Sequence, residues 1–142
     1  IIDGAGRQSE LTRLALVACD IAIVPNTTSP LDAWATKATI ASINEIQSYR
    51  DFSAYFLLSG VKKNTKIFTE VKDWLAETYP LPIFDTVVEL RTAYSRSLGE
   101  GLTVFEYKDD SGRMDKKAII EVNALIDEIL SRENIVQQEE AI

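Results

Sequence analysis

The chain has 142 residues, of which 46% are hydrophobic and 26% charged, an ordinary globular composition with enough apolar material for one core-bearing domain. A net charge of −7 and a pI near 4.6 oppose a surface that binds polyanions throughout, and the absence of histidine excludes His-based triads, zinc sites and imidazole bases. The single cysteine, Cys19, excludes an internal disulfide and fits a reducing compartment, so a cytoplasmic location is expected. No apolar run approaches the ~20 residues of a membrane span.

Taken in order, Ile1-Ile2 reads as a β-branched strand running into Asp3 and a turn flanked by Gly4 and Gly6. Ser9 can cap a helix with Leu11, Leu14, Ala15 and Ala18 on one face, ending near Asp20. Ile21-Ala22-Ile23-Val24 is a short apolar run stopped by Pro25, the pattern of a strand buried on both faces. Ser29-Pro30-Leu31-Asp32 is a helix start, with Ser29 as cap, Pro30 in the first helical position and Asp32 placed to reach back as in a capping box. This helix is expected to reach about Tyr49 and to bury Trp34. Ala54 to Leu58 reads as a third buried strand, closed by Ser59-Gly60.

Asn64 or Thr65 caps a helix with Ile67, Val71, Trp74 and Leu75 inward. Ile83-Phe84 suggests a brief strand, Glu89 to Leu98 a short helix, and Thr103 to Tyr107 a weak alternation. Asp115 caps a final helix carrying Ile119, Val122, Leu125, Ile126 and Ile129 on one face. The tail 132–142 is polar, has little to bury and is expected to fray, leaving 1–131 as the folded region. Strands alternating with helices give an α/β fold, a partial doubly wound parallel sheet flanked by helices.

The pieces DGAGR, IAIVP, SPLDAW, FLLSGVKKNT and LPIFDTVVELRTAYSRSLGEGLTVFE, in that order, resemble the C-terminal half of ParA/MinD-type partition ATPases, the deviant Walker class of P-loop proteins. The resemblance implies ATP-dependent plasmid or chromosome partition, with Mg and ATP as cofactors of the parent. By it, Asp3 matches the acid that holds magnesium through water, Gly6 the switch glycine that senses the γ-phosphate, and Arg7 a neighbour facing phosphate or a partner subunit. A hard cation takes carboxylate oxygens, and a glycine lets backbone approach phosphate, so these residue types suit that chemistry. Ser59 stands where the family often has an asparagine for adenine, and Thr86 and Arg91 fall in the loop lining the base pocket.

The family's KGGxGKT loop lies upstream of the matched stretch, and no GK[ST] occurs in this chain. Alone, the chain is therefore expected to bind ATP weakly or not at all. An unpaired sheet edge would favour a homodimer or strand-exchanged assembly. Lys62, Lys63 and Lys66 are candidates for nonspecific DNA contact, set against a solvated-edge role that the net charge favours. Asp3 could equally satisfy strand-end donors, Asp32 a helix cap, and Gly4 and Gly6 a turn. The rival reading is a non-catalytic α/β interaction module that assembles with itself or binds a partner protein.

Overall fold

A computed structural model describes residues 1–4 and 10–133. The expected cap at Ser9, the switch glycine Gly6, Arg7 and the segment 134–142 lie outside the described residues. The elements follow in the order α1 (Glu10–Ala18), β1 (Ile21–Asn26), α2 (Pro30–Gln47), β2 (Ser53–Val61), α3 (Lys66–Thr78), β3 (Val88–Glu89), α4 (Thr92–Gly99) and α5 (Lys116–Arg132). The strands form a parallel sheet in the order β1-β2-β3, so the chain is an α/β domain with helices crossing between parallel strands.

Register explains the core. Ala22 lies opposite Ala54, Val24 opposite Phe56 and Asn26 opposite Leu58. Side chains alternate along a strand, so these six share one face. The apolar ones join Ile40, Ile43 and Ile46 of α2 and Leu75 of α3 in the main hydrophobic cluster, where Phe56, Ile43, Ile46, Leu58 and Leu75 are fully buried. The helix starts are chemically specified: Ser29 Oγ accepts from the Leu31 amide, Thr65 Oγ1 from Phe68, and Asp115 Oδ1 from Lys117 and Ala118. A second, smaller cluster of Ala93, Val104, Tyr107 and Ala118 lies between α4, the 102–107 turn and α5.

Several expectations are corrected. Ile1–Asp3 is not a strand among the described residues; Ile1 and Ile2 are exposed, and no ladder lies beside them to hold an extended segment. β1 continues through Pro25 to Asn26, which is admissible because β1 is an edge strand and a proline needs only one unbonded side. β1 is also not buried on both faces: Ala22, Val24 and Asn26 are buried on one face, whereas Ile23 on the other is exposed. Ile83 forms only an isolated bridge with Phe56, the next strand is Val88–Glu89, and the following helix starts at Thr92 rather than Glu89. The 103–107 stretch is a turn closed by Glu106, whose carboxylate accepts from the Thr103 amide and hydroxyl. Trp34 is 80% exposed rather than buried, the core taking Ile40, Ile43 and Ile46 from α2 instead, and Trp74 is also exposed.

Candidate functional site

In parallel α/β sheets the strand carboxyl ends and the following helix N-termini face one crevice. Here that edge is formed by Asn26, by Ser59 to Val61 and by β3. Gly60 adopts φ +67°, the left-handed region that favours glycine, and a Cβ placed there would meet Thr27 Cγ2 at 3.9 Å, so the two strand ends lie against each other. Asp32 does not close a capping box on Ser29. Its carboxylate instead accepts from the Thr27 hydroxyl and, at 3.3 Å, from the Thr27 amide, folding the 26–29 connection onto the first turn of α2.

Behind this connection sits a buried polar group that the sequence did not single out. Asn26 is 2% exposed; its Oδ1 and the Asp32 carbonyl both face the Thr36 hydroxyl, at 2.9 and 2.7 Å. One hydroxyl proton can serve only one of them, and the Asn26 side-chain amide nitrogen has no partner among the described residues.

Along the outer edge of β1 runs an open groove of about 700 Å³, floored by Ile21 to Pro25 and walled by Ala15 and Leu16 of α1 and by Ala35, Thr39 and Ile43 of α2. Asp3 and Asp32 both line it, so the first candidate acid and the α2 acid share one cleft. The remaining candidates do not converge on it. Ser59, near the C-terminal end of β2 and opposite Val88, is not among the residues lining the cleft. Lys62 and Lys63 are exposed on the β2–α3 connection and Lys66 on the first turn of α3; Lys63 lies 3.9 Å from Glu89 and Lys66 lies 3.4 Å from Glu70. Two of these three cations thus already have a carboxylate neighbour.

Thr86 and Arg91 are engaged by α5. Glu128 Oε1 and Oε2 accept from the amides of Asp85 and Thr86, each at 2.8 Å, and Arg132 approaches the same carboxylate at 2.5 Å. Glu121 accepts from Arg91 Nη2 at 2.6 Å and Nε at 3.0 Å, from the Tyr94 hydroxyl at 3.0 Å and from the Glu89 amide at 3.2 Å. Burial pushes the Glu121 carboxyl up, but the Arg91, Tyr94 and Glu89 hydrogen bonds outweigh it and leave the group below the usual glutamate range. Glu128 is lowered in the same way, its desolvation overcome by the Asp85 and Thr86 donors and Arg132. The hydrogen bond to Glu121 raises Arg91 further, and burial followed by that carboxylate pushes the Tyr94 hydroxyl up. Glu121 lies between Ala118 and Val122 on the inward face of α5; an acid at a core position was the sequence signal for this cluster.

Among the described residues no group of three or more His, Cys, Asp or Glu side chains comes together that could hold a metal ion. The chain also has no glycine-rich Gly-Lys-Ser/Thr loop to cradle phosphates. The donor set among the described residues does not by itself fit Mg-ATP. No helix of the described residues is long and apolar enough to cross a membrane.

No family model matches the chain. Over 120 residues it is 25% identical to Maintenance of carboxysome distribution protein A of Halothiobacillus neapolitanus, a match covering 84% of this chain and 54% of that protein. The chain thus spans about half the length of the curated relative it matches, and it is similar to that protein across most of its own α/β fold.

Proposed function

We propose that the chain is part of a ParA/MinD-type ATPase domain that distributes DNA or another cargo in the cytoplasm, with the phosphate-binding loop supplied from outside this sequence. The observation that carries the reading is the agreement of motif order with topology. DGAGR and SPLDAW contribute Asp3 and Asp32 to one cleft beside the edge strand of a parallel sheet. The likeness to a protein named for carboxysome distribution supports it. In this reading Asp3 holds magnesium through water, and Gly6 and Arg7 lie near phosphate. Ser59, Thr86 and Arg91 border the base. The test is hydrolysis. The chain alone turns over no ATP, whereas a chimera with a KGGxGKT strand and loop ahead of Ile1 does, and Asp3→Ala in the chimera abolishes it. A folded chimera that neither binds nor hydrolyses ATP contradicts the proposal.

A second reading, an assembling module, is favoured by the outer edge of β1, which has no strand partner among the described residues, and by the exposed apolar residues around it. Ile2, Leu11, Leu14, Leu31 and Trp34 are all more than half exposed. We expect a homodimer, and a monomer by light scattering at micromolar concentration counts against it. The lysines 62, 63 and 66 offer DNA phosphates a small patch against an overall charge of −7, so DNA binding is expected to be weak and salt-sensitive.

A further inference from the structure

We propose that α5 is a strap, and that its inward carboxylates Glu121 and Glu128 are positioning residues that set the conformation of the stretch 84–91 and the direction of Arg91. That this stretch borders a nucleotide base rests on the proposed function; the strap does not.

The stretch is tied to β2 at its two ends, by the Phe84 amide to the Phe56 carbonyl at 2.9 Å and by the Leu90 amide to the Val61 carbonyl at 2.8 Å. Between these ties, the amides of Asp85, Thr86 and Glu89 donate to side chains of α5. Glu121 and Glu128 are seven residues apart, two turns of one helix, so a single face of α5 holds both halves of the stretch. Arg91 is held on Nε and Nη2 by Glu121, with Glu89 also 3.3 Å from Nη2. The apolar anchorage of this part of α5, through Ala118 and Val122, belongs to the smaller cluster rather than to the main sheet core. The link from α5 to the sheet at 85–91 is therefore largely polar and site-specific. At its C-terminal end α5 also bears on β2, with Arg132 over the Tyr55 and Phe84 rings and Glu133 accepting from the Ser53 and Tyr55 hydroxyls, so Glu121 and Glu128 act on the stretch from a helix already fixed at that end.

The experiment is residue-resolved amide exchange by NMR on the whole chain, without nucleotide, for wild type, Glu128→Gln and Glu121→Gln. Glutamine keeps the side-chain volume but offers one acceptor oxygen. In Glu128→Gln at least one of the Asp85 and Thr86 amides should exchange roughly tenfold faster or more, as expected for loss of a charge-assisted bond, while Glu89 is unchanged. In Glu121→Gln the Glu89 amide speeds up and the Arg91 Nε–H resonance moves, while 85 and 86 keep their protection. Unchanged exchange in both variants overturns the proposal. So does a uniform acceleration across α5 and the whole stretch, which would make α5 a simple cover. Because no nucleotide is present, failure of the ATPase reading leaves this result standing, and the reverse also holds. If Glu121→Gln does not fold, the Glu128→Gln pattern decides alone.

Discussion

Removing Glu121 should cost more than removing an exposed ion pair, and removing Arg91 as well should add little to that cost. The Glu121 side chain is 9% exposed and Arg91 17%, with 2.6 Å between Arg91 Nη2 and Glu121 Oε1. Truncating one partner of such a pair leaves an uncompensated charge, a loss of about 3–5 kcal/mol when nothing else is near. Arg91 keeps Glu89 at 3.3 Å, which places Glu121→Leu at the low end, about 3 kcal/mol. Arg91→Met strands the carboxylate but leaves it the Tyr94 hydroxyl and the Glu89 amide, so about 2 kcal/mol is expected. The double variant removes both charges and leaves chiefly the Glu89 amide unpaired, because Tyr94 can still donate to the Ala118 carbonyl at 3.2 Å. It should lose about 2–3 kcal/mol, giving a coupling of about 2–3 kcal/mol in the cycle. Urea unfolding followed by far-UV circular dichroism measures all four proteins. Losses that add to within about 0.5 kcal/mol would refute a coupled buried pair.

Further expectations follow from the same geometry. Glu121 and Glu128 titrate below their unfolded values, so the stability they contribute is fully present above the unfolded glutamate pKa and is lost as pH falls through the lowered folded pKa. Unfolding scans from neutral to acid pH should show this decline, and Glu128→Gln should flatten it; an unaltered profile would contradict the assignment. Trp34→Ser removes an 80% exposed ring and should change unfolding free energy by no more than about 0.5 kcal/mol while weakening self-association in sedimentation. A large stability loss would mean that Trp34 is buried in the monomer.

Much of the fold could be read from the sequence because its strongest signals are local. The run Ala54 to Leu58 has the length and apolarity of a central strand, and Ser29, Thr65 and Asp115 announce their helices through side-chain oxygens that the structure shows accepting first-turn amides. The failures occur where a distant partner decides. Pro25 looks like a stop, but an edge strand leaves its missing amide without cost. β3 has two residues and no periodicity of its own, and it exists because Glu121 accepts from its Glu89 amide and the Val61 carbonyl from the next amide, Leu90. Trp34 stands among the apolar residues of α2, yet the core takes Ile40, Ile43 and Ile46 from that helix and leaves the ring exposed.

The site was less legible. Asp3 lines the cleft beside β1, whereas nothing local in 84–91 reveals that α5 holds the Thr86 amide and the Arg91 guanidinium. The clue lay about 30 residues away, in an acid on the buried face of an amphipathic helix.

The central claim, an ATPase domain whose phosphate loop comes from outside this sequence, is tested most directly by thermal unfolding with and without Mg-ATP, on the chain and on the KGGxGKT chimera. The account predicts no shift for the chain alone. For the chimera it predicts a stabilisation of about 2.7 kcal/mol at ~100 times the dissociation constant, removed by Asp3→Ala. A chimera that folds but shows no Mg-ATP shift would contradict it, as would a shift in the chain alone that survives Asp3→Ala.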